Sequence, residues 1–330
     1  MIALIALISF CVCLALVGLV LRSRRQWALD VPNERSLHTD PTPRIGGIPL
    51  MAGIVASAGL AEFALGFDRV PLAAIALATM LCGISLADDR GGLPIALRLA
   101  THLLTAGVFA AYLTNNLAPW WWMLMAMLAV AAMTNFFNFM DGANGLAGGM
   151  AAIGFSSYGM AALGAAPGLA AVCFGIAAAA AGFLVYNLQG RIFMGDGGSI
   201  PLGFLAAALG IEGWARSLWA PWFPLMVFAP FIADTIATLA GRIMRRERFW
   251  EAHREHYYQR LVRSGWSHAE LACAEYMLMA TCAGLALEAL QGTAVSPRTA
   301  FAIISILLVG AGLFVNRKWR LFKASRSASQ

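Results

Sequence analysis

The sequence predicts an all-α integral membrane protein of about eleven transmembrane helices, with its N-terminus outside and its C-terminus cytoplasmic. Three observations carry this. Of 330 residues, 60% are hydrophobic and 12% charged, and the mean hydropathy of +0.72 is too high for a soluble globule, which must cover its surface with polar groups. The apolar residues fall into separate runs, most of them near the ~20 residues that cross ~30 Å of hydrocarbon. With the N-terminus outside, 20 of the 23 Lys and Arg residues fall on the cytoplasmic side, as the positive-inside rule requires.

In chain order the runs are 2–21, 48–66, 71–87, 97–114, 119–138, 146–163, 168–187, 199–213, 218–241, 270–290 and 298–316. The first has no basic residue before it and Arg22, Arg24 and Arg25 after it, the reverse of a secretory signal, so it reads as a retained anchor. The fifth opens on Trp120, Trp121 and Trp122, residues suited to the membrane interface. The eighth is short and contains glycine, and the alanines of the seventh suit close helix packing. No separate soluble domain fits: residues 1–330 form one membrane domain, with cytoplasmic loops at 22–47, 88–96, 139–146, 188–199 and 242–269. The net charge of +6 does not signal nucleic-acid binding, because the bases flank apolar runs instead of covering a soluble face. The six cysteines lie inside apolar runs without a C-x-x-C pair, which argues against a zinc site or a disulfide framework.

The polar, turn-rich motifs all fall on the cytoplasmic side. They are Asp30-Val-Pro-Asn-Glu-Arg-Ser-Leu-His38 with Pro41-Thr-Pro-Arg-Ile-Gly-Gly47, Asp88-Asp89-Arg90, Asn135-Phe-Phe-Asn138-Phe-Met-Asp141-Gly-Ala-Asn144-Gly, Phe193-Met-Gly-Asp196-Gly-Gly-Ser199, and His253-Arg-Glu-His256-Tyr-Tyr-Gln259-Arg260-Leu261. Asp88, Asp89, Asp141 and Asp196 each sit where a helix meets the cytoplasm. Two carboxylates about 4 Å apart repel by roughly 4 kcal/mol at an effective dielectric of 20, so gathering them requires a cation. Hard oxygen ligands favour Mg²⁺, with Mn²⁺ as the alternative, over zinc. Otherwise each is a solvated loop aspartate.

Gly-Asp-Gly-Gly-Ser permits a sharp turn, with Ser199 as a cap for a phosphate-attracting helix N-terminus, or it is only a turn. Arg35, His38, Arg44, Arg98, Arg191, Arg254 and Arg260 can neutralise a pyrophosphate or simply follow the positive-inside bias. His253 and His256, three apart, share a face if they lie on a helix, and with Gln259 they form a polar stripe for a phosphate or sugar hydroxyl, or a solvated loop helix. His102, one turn beyond Arg98, reads as a satisfied buried histidine. Asp234 lies inside the ninth span, where an ionisable residue marks a function or a helix pairing.

Taken together and in this order, the motifs from Asp30 to about Leu261 resemble the polyprenyl-phosphate N-acetylhexosamine-1-phosphate transferases (glycosyltransferase family 4 type). The His253-x-x-His256-Tyr-Tyr-Gln259 form is most similar to the branch that initiates O-antigen. The resemblance implies transfer of a sugar-1-phosphate of N-acetylhexosamine or 6-deoxy type from a UDP-activated amino sugar to undecaprenyl phosphate, with release of UMP. It implies Asp196 as principal Mg²⁺ ligand, Asp88 and Asp89 at the metal or carrier phosphate, Asp141 with Asn138 completing the polar centre, and Phe193 stacking on uracil. Arg44, Gly46, Gly47, Arg98, Asn144, Asn187, His253, His256 and Gln259 join Asn138 and Phe193 as substrate-binding candidates. Asn144-Gly145 stands where many relatives carry Asp-Gly, so a charged contact from that position is not expected. The implied setting is a bacterial inner membrane with the site on its cytoplasmic face, with the bilayer and optionally a second copy of the chain as partners. A polytopic transporter is the alternative class, and it would place polar residues near mid-bilayer within an internal repeat.

Overall fold

The structure, a computed structural model, describes residues 1–23, 28–32, 40–66, 69–114, 119–248, 251 and 253–328. Arg35 and His38 lie outside the described residues, as do the side chains of Asp89 and Arg90. The helices are α1 (Ile2–Arg22), α2 (Gly47–Leu65), α3 (Arg69–Gly91), α4 (Ile95–Thr114), α5 (Trp120–Phe139), α6 (Leu146–Ala162), α7 (Pro167–Asn187), α8 (Asp196–Ala215), α9 (Trp222–Val227), α10 (Ala229–Met244), α11 (Tyr257–Arg263), α12 (His268–Gln291) and α13 (Pro297–Ala328).

Among the described residues, nine helices are long and apolar enough to cross a membrane, which makes this an all-α, multi-pass membrane protein. The other two expected runs form shorter helices. Run 146–163 is the 17-residue α6, and run 218–241 is broken into α9 and α10 at Phe228. Pro230, in the first turn of α10, has no N–H to continue a helix from α9, so the chain turns there. At the other extreme, α13 runs 32 residues, well past the expected 298–316. Its C-terminal end is held to the α11–α12 turn, with Arg263 over the Trp319 ring at 4.8 Å and Lys318 over Trp266 at 5.1 Å.

Helix α8 forms the centre. Seventy-eight per cent of its apolar window is buried, against 17% for α13 at the periphery. It packs between α3 and α5, and α7 packs against α1, α2 and α6. Small residues allow these approaches: a β-carbon on Gly203 would stand 2.5 Å from the Met133 carbonyl of α5.

The same device joins the beginnings of α2 and α8. A β-carbon on Gly47 would lie 2.3 Å from the backbone of Gly197, so the two helix N-termini meet back to back. The segments leading into them are laced by backbone hydrogen bonds. Phe193 N donates to Pro43 O at 2.8 Å, Gly46 N to Phe193 O at 2.9 Å and Gly47 N to Met194 O at 2.9 Å. A two-residue antiparallel ladder, β1 (Leu29–Asp30) with β2 (Thr42–Pro43), closes the first loop on itself. This ladder is the one departure from an all-α chain among the described residues.

Candidate active site

Gly195 adopts φ +67 and ends the lead-in, so Asp196 becomes the first residue of α8. There its carboxylate sits at the positive end of the helix dipole. Arg44 Nη2 donates to Asp196 Oδ1, which makes this the tightest ion pair in the centre. Arg98, from the first turn of α4, reaches two acids at once: its Nη1 donates to Asp88 Oδ2 at 3.0 Å and lies 3.7 Å from Asp196 Oδ2. The second Asp88 oxygen accepts the Leu93 backbone N–H and fixes the α3–α4 turn. Asp88 and Asp196, more than a hundred residues apart in sequence, thus close on one guanidinium nitrogen and are 8% and 9% exposed. Arg44 and Arg98 place positive charge beside both carboxylates.

Asp141 joins them from the loop after α5. Burial pushes its carboxyl well above the usual carboxylate range; Arg44 opposes that shift, Asp196 adds to it, and the Gly195 N–H that Asp141 accepts lowers it. Asn138 Nδ2 donates to Ser199 Oγ at 3.1 Å, and Ser199 Oγ in turn donates to the Gly195 carbonyl at 3.2 Å. Ser199 is therefore not the cap expected of it. Helix α8 starts three residues earlier, and the serine hydroxyl back-bonds within its first turn.

The second polar region, residues 242–263, is organised differently. His253 and His256 do not share a helical face, because α11 begins only at Tyr257 and His256 is its cap residue. Asp234 of α10 sets that start: its carboxylate accepts the backbone N–H groups of Tyr257 at 3.0 Å and Tyr258 at 3.1 Å, and its Oδ1 lies 3.0 Å from the His256 ring Nδ1. The acid expected inside the ninth span is thus part of a helix cap. Gln259 Oε1 accepts the His256 N–H at 3.2 Å in a capping box. The two imidazoles stack instead, with centroids 5.0 Å apart. Burial pushes His253 down to about 4, and the charges of His256 and Arg242 add to the shift. Its Nδ1 is buried and has no hydrogen-bond partner among the described residues.

Asn187 lies between two of the motif loops. It is buried, its Oδ1 accepts Gly145 N–H at 2.7 Å and its Nδ2 donates to Ile192 O at 2.8 Å, so it pins loop 139–146 to loop 188–199. Asn144 packs on Gly190, and its backbone N–H donates to His268 Nδ1 at 3.1 Å. Phe193 is half-buried, with both its backbone groups bonded to segment 43–46. Arg191 lies over the Tyr186 ring, and Arg260 bonds Asn316 at 2.9 Å.

Tyr258 was not singled out from sequence, yet it joins the two regions. Its hydroxyl donates to Phe139 O at 3.0 Å, under Gly142, where a β-carbon would stand 2.1 Å from the phenol oxygen. The available signal was the glycine directly after Asp141, a position where a larger residue would displace that ring.

Among the described residues, no group of three or more His, Cys, Asp and Glu side chains forms a metal cage. A hard cation bound through one or two carboxylates and substrate phosphates needs no such cage. Asp88 and Asp196 provide oxygen donors of that kind, without the nitrogen and sulfur that zinc prefers, and so fit Mg²⁺ or Mn²⁺.

Comparison with known proteins bears on the same segments. The family model described as Glycosyl transferase family 4 matches residues 71–213, which contain Asp88, Arg98, Asn138, Asp141 and Asp196. The chain is 27% identical over 268 residues to the probable undecaprenyl-phosphate N-acetylglucosaminyl 1-phosphate transferase of Bacillus subtilis, covering 76% of this chain and 74% of that one. It is 25% identical over 315 residues to the undecaprenyl-phosphate alpha-N-acetylglucosaminyl 1-phosphate transferase of Yersinia pestis, covering 89% and 85%. It is 27% identical over 335 residues to the decaprenyl-phosphate N-acetylglucosaminephosphotransferase of Mycobacterium tuberculosis, covering 88% and 81%.

Proposed function

We propose that this chain is a member of the polyprenyl-phosphate N-acetylhexosamine-1-phosphate transferase family and that it transfers the sugar-1-phosphate of a UDP-activated amino sugar to undecaprenyl phosphate, releases UMP and so initiates a lipid-linked glycan. The observation that carries the reading is the closure of Arg44 and Arg98 on Asp88 and Asp196 at one end of the helix bundle. Attack on phosphorus needs charge neutralisation and alignment more than a strong base, and that cluster supplies both signs of charge at fixed positions.

In this reading a carrier phosphate oxygen attacks the β-phosphorus of the donor, and the bond to the UMP oxygen breaks. Arg44 and Arg98 hold pyrophosphate oxygens, and the N-termini of α2 and α8 add partial positive charge at the same place. His253 offers its Nδ1 to a phosphate oxygen. Mg²⁺ held by Asp196 and Asp88 would neutralise the charge that builds on the pyrophosphate. The bilayer keeps the carrier's apolar tail beside the helix ends while its phosphate enters the cluster.

Donor labelled at the β-phosphorus tests the bond that breaks. The label is expected in the lipid product, with UMP released. Label found in UDP would mean glycosyl transfer, and intact donor moved across the bilayer without loss of carrier would mean transport. The inner-membrane setting with a cytoplasmic site has its own test. A single cysteine at Ser264 should react with an impermeant reagent only after permeabilisation, and one at Ser296 should react from outside; the opposite pattern would invert the orientation.

A further inference from the structure

His102 is buried, as a core histidine should be, yet it is not satisfied. It is 9% exposed, and its Nδ1 has no hydrogen-bond partner among the described residues. A buried ring nitrogen left without a partner is costly, and it is retained where something outside the chain completes it.

Its place on α4 says what that something is. The buried stripe of α4 is His102, Thr105, Ala106, Phe109 and Ala110, at helical spacing, and it faces α8 through an edge contact between Phe109 and Phe204 with ring centroids 5.8 Å apart. Two turns back from that contact, α4 reaches His102 and α8 reaches Asp196, so the imidazole stands level with the acid. Arg98, Asp196 and Asp88 are near enough for their charges to act on the ring. Arg98 lies one turn nearer the cytoplasmic end, so His102 is on the bilayer side of the Arg98 bridge. A nucleotide arriving from water meets Arg98 first, whereas a phosphate carried on a membrane-embedded tail meets His102 first.

We propose that His102 is a carrier-contacting residue, whose Nδ1–H donates a hydrogen bond to the phosphate of the lipid acceptor. The assignment rests on the sugar-1-phosphate transferase reading above. It predicts a split between the two substrates that a packing role would not produce. A ligand hydrogen bond to a charged oxygen corresponds to about a ten- to hundredfold change in affinity.

The test uses the full-length protein in detergent or nanodiscs, varying carrier and UDP-sugar separately. His102→Leu is expected to raise the KM for carrier about ten- to hundredfold while the KM for UDP-sugar stays within about twofold. His102→Asn, whose amide nitrogen sits near the position of Nδ1, should recover most of the loss. His102→Gln, whose amide reaches the position of Nε2, should not. An unchanged carrier KM in His102→Leu, equal shifts in both KM values, or equal behaviour of the Asn and Gln variants would overturn the proposal. The Asn and Gln comparison stands alone if His102→Leu does not fold. If the wild-type protein turns over no UDP-sugar, the transferase reading fails and His102 is judged by binding. Undecaprenyl phosphate should then raise the melting temperature of wild type and not of His102→Gln, and an equal rise in both would overturn the assignment.

Discussion

The two polar regions on the motif-bearing face of this molecule spend their hydrogen bonds in opposite ways. At the Asp88, Asp196, Arg44 and Arg98 centre, side chains from four segments pair with one another, and an entering anion can take over a guanidinium from a carboxylate. In the 242–263 region, Asp234 and Gln259 are committed to backbone N–H groups, and Arg242 bridges Glu247 at 3.1 Å and Glu255 at 3.3 Å. The first region can exchange partners with a substrate, and the second holds a shape. His253 differs within the second, since its buried Nδ1 has no hydrogen-bond partner among the described residues. Polar residues in one motif therefore do not share one role, and the partner of each decides which role it has.

The largest effect expected from this contrast is at Asp196. Asp196→Asn removes the charge that both arginines share, and UMP release should fall about a thousandfold or more, roughly 4 kcal/mol of barrier, with the melting temperature little changed. Turnover near wild type would erase the distinction between the regions. Arg98→Lys comes next, with a loss of about a hundredfold, because an ammonium keeps the charge but loses the guanidinium's further N–H donors, which stay available to a substrate while Nη1 faces the two acids. Full activity in that variant would show that charge alone suffices.

Substitutions in the other region should cost stability along with activity. Asp234→Asn weakens the cap on α11, and a loss of about 1–2 kcal/mol in stability should accompany about a tenfold loss of turnover. A tenfold loss with unaltered thermal unfolding would instead put Asp234 in contact with substrate. Gln259→Ala should cost about 1 kcal/mol of stability and no more than about threefold in turnover, measured on the same preparation.

The smallest effect is a pH slope. The folded protein holds His253 at about 4, below the ordinary 6.5, so between those values the unfolded chain binds the proton more tightly. Its contribution to stability is complete above pH 6.5 and is lost as pH falls toward 4. His253→Gln should flatten that part of the melting-temperature profile, and an unchanged slope would place the titration elsewhere.

Much of the centre was legible because charge is rare in so apolar a chain. Asp88, Asp141 and Asp196 stood out at helix ends, and the structure brings all three together. Arg44 and Arg98 were named with several other basic residues, and only the family resemblance, not their charge or spacing, separated them from Arg191 and Arg260, whose partners lie aside from the acids. Asn187, Gln259 and Tyr258 could not be sorted, since each bonds to a main-chain group that carries no signature in sequence.

By itself the sequence determined the solvent of this protein, the run of its helices and the kind of chemistry at one face, because hydropathy and charge type are properties of residues one at a time. Only the tertiary structure decided that Asp234 caps α11 and that His102 lacks a partner beside the acids. Each of those is a relation between groups distant along the chain, and helix packing fixes such relations when glycines such as Gly47 and Gly197 let backbones meet.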